Sequence, residues 1–291
     1  MMPRSLQVRF TELTAECKIF IMSEQQLKQF AKSLRLSALK MAYDCGKNGS
    51  HVAPGLSAIE IMATLYGDVL RYDVNNPYDE NRDRLVVSKG HCVLAYYSAL
   101  NQIGFLTDED IASFETNGSH FHGHAMRNLD HGIEFSGGSL SMGMSFAVGL
   151  ALSCKRKNIG NRIFALVGDG ECDEGLIWEA AMSAAHYRLN NFTVIVDRNQ
   201  LQYDGPTKAV MNQFDLGKKF EAFGFEVTVV DGHDCVALSK ALKKTGDTPT
   251  CVIADTIKGK GVSFIEGIKE WHHHTLTLEQ YELARKEVES V

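Results

Sequence analysis

Two short polar segments and a scattered set of histidines are the residues best suited to do chemistry. The segment Gly168-Asp169-Gly170-Glu171-Cys172-Asp173-Glu174-Gly175 follows one apolar run, and Asp197-Arg198-Asn199-Gln200-Leu201 follows another, about 30 residues on. If both runs are parallel strands, both segments leave strand carboxyl ends, where such sheets bind ligands. Asp169 and Asn199 then offer two oxygen ligands, and a backbone carbonyl such as that of Leu201 a third. Few protein oxygens, completed by phosphate oxygens and water, suit Mg2+. Gly168 and Gly170 let the backbone approach phosphates, and a helix starting after Gly175 directs its N-terminus at an anion. A lone Gly-Asp-Gly is usually only a turn; the order strand, GDGE, helix, strand, DxN is far more specific. An EF-hand fails at its sixth position, where Glu174 replaces glycine. No G-x-G-x-x-G follows the strand, so the dinucleotide fingerprint is absent.

The chain has 11 histidines. His51 follows Asn48-Gly49-Ser50, and His91 follows Ser88-Lys89-Gly90. His120, His122 and His124 lie in a glycine-rich stretch, and His272, His273 and His274 follow Trp271. Any one of them alone reads as a solvated loop residue. Together they suggest a polar pocket that binds diphosphate and hydroxyl groups and moves protons on sugar oxygens. A zinc site in either local cluster lacks cysteines at ligand spacing and an H-E-x-x-H. His186 and His233 read as structural.

The elements that must position these groups follow from periodicity. Residues 23–47 read as a helix, with Leu27, Phe30, Leu34, Ala38 and Met41 at helical spacing. Ser57 and Glu60 match a capping box before a second helix. A strand over 85–87 precedes a helix from His91, and Thr107 opens another. Residues 117–143 read as a functional loop or surface excursion, before a helix over 144–155. Strands over 162–167, 192–197, 226–230 and 250–256 then alternate with helices over 176–188, 216–223 and 235–244. That alternation predicts an α/β fold, a doubly wound parallel sheet flanked by helices.

Bulk properties bound the function. The sequence has 291 residues, 44% of them hydrophobic, and a formal net charge of −6, with no basic run for a nucleic acid. No apolar run reaches the roughly 18–20 residues that span a bilayer. Seven scattered cysteines with no C-x-x-C suit free thiols in a reducing, cytoplasmic setting. Residues 1–22 read as a poorly ordered leader, with Met22 as an alternative start that intact mass would test. Residues 23–275 read as one domain, and 276–291 as a helical tail.

The chain resembles the N-terminal domain of transketolases, above all the shorter chain of split transketolases, over about residues 25–275. The matching stretches are Gly49-Ser50-His51 with Leu56-Ser57, Asp83 through His91, Gly123-His124, Gly138-Ser139-Leu140, the GDGE segment, Asp197-Arg198-Asn199, Asp231-Gly232-His233-Asp234 and Trp271-His272. The resemblance implies a thiamine diphosphate-binding fold of the PP-domain type. Its cofactors would be thiamine diphosphate and Mg2+, or Ca2+ or Mn2+ in its place, with the metal on Asp169, Asn199 and the Leu201 carbonyl. Cofactor contacts would come from His91, Gly138, Ser139, Leu140, Gly168, Asp169, Gly170, Glu171, Asn199 and His272. His51, His91, His124 and His272 would line the sugar channel. Glu174 and Glu179 resemble buried carboxylates that link two active sites across a dimer; they read equally as a helix-terminal charge and a solvated side chain.

The family often has Gly-His-Pro where Ser50-His51-Val52 stands, and Gly-Pro-Leu-Gly-Gln-Gly where Gly138 through Gly143 stands; the choice of sugar is what such changes put in doubt. The implied reaction is transfer of a two-carbon ketol unit from a ketose to an aldose, on sugars or sugar phosphates. A second subunit carrying the pyrimidine-binding domain would complete the site, as two copies of each chain. Three other readings stay open: the α chain of a 2-oxo acid dehydrogenase, a non-catalytic thiamine diphosphate-binding paralogue, and a Mg2+-nucleotide-binding protein.

Overall fold

The computed structural model describes residues 21–290, together with the backbone of residues 18 and 19. Most of the expected leader lies outside the described residues. Within it, Lys18–Ile19 pairs antiparallel with Arg71–Tyr72, and the Met22 amide donates to the Gly67 carbonyl at 3.0 Å.

Five strands form one all-parallel sheet: β1 (Arg84–Val87), β2 (Ile163–Gly168), β3 (Phe192–Arg198), β4 (Glu226–Asp231) and β5 (Thr250–Asp255). Their order is β1-β2-β3-β5-β4. Successive side chains of a strand point to opposite faces, and here both faces are covered. Phe164 and Leu166 join one buried cluster; Ile163, Ala165 and Val167 join the other. That is the expected doubly wound α/β sheet, and it explains the near-continuous apolar strands.

Helix α1 (Glu24–Asp44) starts on a capping box in which Ser23 and Gln26 exchange hydrogen bonds. It stops short of Lys47 because Gly46 turns the chain at φ +56°, into the short 3-10 turn Gly46–Asn48. The expected capping box at Ser57 does not form. The chain instead makes two short helices, α2 (Val52–Ser57) and α3 (Ile59–Thr64), with no side-chain cap between them. Ser57 Oγ turns inward to donate to Asp197 at 2.7 Å, and Glu60 pairs with Arg35 and His233. Buried charge elsewhere claims both partners of the box.

Helix α4 (Val93–Ile103) begins two residues after His91, because the 3-10 turn Gly90–Cys92 comes first. Helix α5 (Asp108–Ala112) has its capping box at Thr107 and Asp110. Helices α6 (Met142–Arg156), α7 (Gly175–His186), α8 (Leu216–Ala222) and α9 (Cys235–Leu242) cover the sheet. Helix α10 (Leu278–Ser290) packs on α1, with Tyr281 stacked 4.8 Å from Tyr43. Among the described residues no helix is long and apolar enough to cross a membrane.

Candidate active site

The carboxyl ends of β2, β3 and β5 open into a cavity of about 450 Å3, lined by residues that include Asp169, Asn199, Leu201, Lys258, His51, His91 and His272. Asp169 begins the turn after β2. Its carboxylate accepts the Gly170 amide at 2.9 Å and the Gln200 amide at 2.7 Å. Among the described residues no basic side chain pairs with it within 4 Å. Burial, with Asp197 beside it, pushes its carboxyl pKa upward. A buried carboxylate held by amides but lacking a counter-cation fits a bound cation.

The other two expected ligands lie on the same rim. Asn199 Oδ1 accepts the Leu201 amide at 3.1 Å. The Leu201 carbonyl accepts from Lys258 Nζ at 2.6 Å, so an ammonium already uses that oxygen as a cation would. Gln200 between them sits at φ +60°, a backbone conformation rare outside glycine that aims the turn. A Cβ on Gly170 would meet the Gln202 side chain at 2.8 Å, so a larger residue there must displace that side chain.

The DxN aspartate does different work. Asp197 is fully buried, ion-pairs with Lys89, and accepts from Ser57 and Thr256. Burial alone would raise its pKa, but Lys89 and these donors outweigh it and hold the group low. Glu171 likewise ties segments together: it accepts Ser88 Oγ, the Ser141 amide at 2.7 Å and the Gly168 amide at 3.0 Å. It still lines the cavity.

The histidines come from distant parts of the chain. An isolated bridge exchanges backbone hydrogen bonds between Ser50 and His274, each 3.0 Å long, which lays His272 and His273 beside His51. Ring centroids are 4.7 Å apart for His51 and His91, 5.0 Å for His91 and His272, and 5.1 Å for His51 and His124. Gly90 permits this packing, since a Cβ there would sit 2.7 Å from the His124 ring. Burial first, and mutual repulsion second, push the imidazoles down to about 2 for His51, about 4 for His91 and about 3 for His272; for His272, Lys258 is the leading repulsive neighbour. At neutral pH they are uncharged, able to accept or donate at substrate oxygens.

Other expected residues lie elsewhere. Leu140 lines the cavity, whereas Gly138 and Ser139 are exposed and do not. His124 lines an adjoining cavity of about 430 Å3 with Glu115, His122 and His273, and the two cavities share His51. Glu174 and Glu179 are exposed in the single chain and reach neither cavity. Nor do the first residues of α7 line the cavity. The 3-10 turn Gly170–Asp173 intervenes, and its Gly170 and Glu171 line the cavity instead.

Sequence reasoning missed two lysines. Lys89 is buried against Asp197, and Lys258 Nζ reaches His272 Nδ1 at 2.8 Å. Burial, then the Lys89 charge, lowers Lys258 to about 7. The available signal was position: Lys89 follows β1 and Lys258 follows β5, both at strand carboxyl ends.

Residues 26–289 match the family described as transketolase, thiamine diphosphate binding domain. The chain is 36% identical over 269 residues to an apulose-4-phosphate transketolase subunit of Actinobacillus succinogenes, covering 92% of this chain and 97% of that one. It is 38% identical over 274 residues to a 6-deoxy-6-sulfo-D-fructose transketolase subunit of Clostridium sp. (strain MSTE9), covering 92% and 98%. The crystal structure of Campylobacter jejuni transketolase superposes with a TM-score of 0.84 at 32% identity, covering 92% of this chain but only 43% of that one. The chain thus spans less than half the length of such single-chain transketolases. On the family match and the cavity at its strand ends, the chain belongs to the transketolase family, in its thiamine diphosphate-binding domain.

Proposed function

We propose that this chain is the diphosphate-binding subunit of a two-subunit transketolase, transferring a two-carbon ketol unit from a ketose or its phosphate to an aldose or its phosphate. The carrying observation is the match to relatives named as transketolase subunits, at 36% and 38% identity over 97% and 98% of their lengths. A partner carrying the pyrimidine-binding domain completes the site, in an assembly of two copies of each chain. The six described cysteines are buried and free, which suits a reducing cytoplasm.

Asp169, Asn199 and the Leu201 carbonyl hold Mg2+, and the buried, cation-free Asp169 supports that assignment. Gly168, Gly170, Glu171, His91 and His272 surround the diphosphate, with Gly138, Ser139 and Leu140 toward the pyrimidine. Thiamine diphosphate supplies the carbanion chemistry when bound. His51, His91, His124 and His272 hold sugar hydroxyls and carbonyl oxygens by hydrogen bonds and move protons on them. Glu174 and Glu179, exposed in the single chain, are available to a neighbouring subunit.

The test is co-purification from native lysate with Mg2+ and thiamine diphosphate, followed by sugar assays. A stoichiometric partner resembling the C-terminal half of transketolase, with ketol transfer by the pair, is expected. A dehydrogenase β-type partner would refute the sugar reading, and ketol transfer by the chain alone would refute the split site.

A further inference from the structure

Neither local histidine cluster forms a metal-ligand set by itself. The set that converges draws on three separate segments: one ring nitrogen each from His51, His91 and His272, all within 4.8 Å of one another. We propose that these three imidazoles form a site for one borderline transition-metal ion of the Zn2+ class in the cofactor-free chain. Three protein nitrogens with a fourth position open to water is the arrangement of catalytic zinc sites.

Geometry and chemistry agree. Zn–N bonds of about 2.0–2.1 Å in a tetrahedron place the nitrogens about 3.3 Å apart, so no pair must close by more than about 1.5 Å. His51 Nδ1 is buried and has no hydrogen-bond partner, a cost that a bound group would relieve. His272 Nδ1 lies 2.8 Å from Lys258 Nζ, so ligation through Nε2 requires the tautomer whose Nδ1–H donates to an uncharged Lys258 amine. Ligating histidines commonly donate their second ring N–H to a neighbouring acceptor. Burial keeps all three rings uncharged at neutral pH, so each has one nitrogen with a free lone pair. The site differs in kind from the oxygen set of Asp169, Asn199 and Leu201, because imidazole nitrogen suits zinc and cobalt whereas carboxylate and carbonyl oxygen suit magnesium. An ion held there takes up the lone pairs that would otherwise meet substrate oxygens, so zinc would act as an inhibitor.

Co2+ tests this directly, since tetrahedral nitrogen-bound cobalt absorbs visible light far more strongly than the hydrated ion. The full chain, free of thiamine diphosphate, is titrated with Co2+ in excess Mg2+. One equivalent should raise the tetrahedral bands, and Zn2+ should bleach them. His51→Gln and His91→Gln should each weaken the affinity by about tenfold or more, while His120→Gln and His274→Gln leave it unchanged. Asp169→Asn should also keep the bands, which separates this site from the Mg2+ assignment. Circular dichroism verifies that each variant folds. Absence of the bands in the wild type, their survival in both His51→Gln and His91→Gln, or their loss in Asp169→Asn would overturn the proposal.

Discussion

The cavity has two walls of opposite character. The rim after β2 and β3 carries Asp169, a buried negative charge with amide donors and no cation of its own. The facing wall carries His51, His91 and His272, rings that burial first, and mutual repulsion second, keep uncharged at neutral pH. One wall is short of positive charge and the other has shed it. Under the proposed function the first wall supplies oxygen ligands to the metal, and the second, with Lys258 beside it, offers donors and acceptors to the diphosphate and to hydroxyl groups. Lys89 shows how the negative rim is contained: its ammonium pairs with Asp197, while Asp169 is held by the Gly170 and Gln200 amides.

The largest expected effect is on the rim. Asp169→Ala should lower Mg2+-dependent thiamine diphosphate affinity by at least about 100-fold, since it removes a ligand rather than an outer-shell partner. Isothermal titration measures it, and retained affinity would refute the metal assignment. Lys89→Met should cost about 3–5 kcal/mol of stability in urea unfolding, because it strands Asp197 as a buried unpaired charge. A cost below about 1 kcal/mol would mean that Asp197 is not held ionised by Lys89.

The histidine wall yields a pH signature. Histidine ordinarily takes its proton near 6.5, whereas these three hold out to about 2, 4 and 3. Below pH 6.5 the unfolded chain therefore binds protons that the folded chain refuses. Their stabilising contribution is complete above pH 6.5 and drains as pH falls toward the folded values. Between pH 6.5 and 5.5 that is about 1 kcal/mol per histidine. His91→Gln should flatten the pH dependence of the urea midpoint by that much, and an unchanged slope would place a proton on His91 already. The smallest effect concerns Glu179. Glu179→Gln should leave the stability of the single chain within about 0.5 kcal/mol yet lower the activity of the assembled enzyme. Unchanged activity would make Glu179 a solvated side chain and nothing more.

Much of the rim could be read along the chain, because its ligands sit in two contiguous segments that each follow an apolar strand. Asp169, Asn199 and Leu201 needed only the parallel-strand rule to be brought together. The histidine wall was legible as residue types but not as geometry. His51 meets His272 through the backbone bridge between Ser50 and His274, and no local pattern announces that pairing. Ser57 shows the converse: its capping signature was local and correct in form, yet Asp197, 140 residues away, claimed the hydroxyl.

The sequence by itself determined the alternation of strands and helices, the two acidic turns and the chemistry their side chains can offer. Periodicity and turn residues act over a few neighbours, so they survive without knowledge of the fold. Tertiary structure alone decided which charges are neutralised and which are left to bind. It gave Lys89 to Asp197, Lys258 to the Leu201 carbonyl, and, among the described residues, no ion-paired cation to Asp169. Burial and electrostatic pairing depend on distances across the folded chain, and those distances arise only when the strand ends and the loop at His272 close around one cavity.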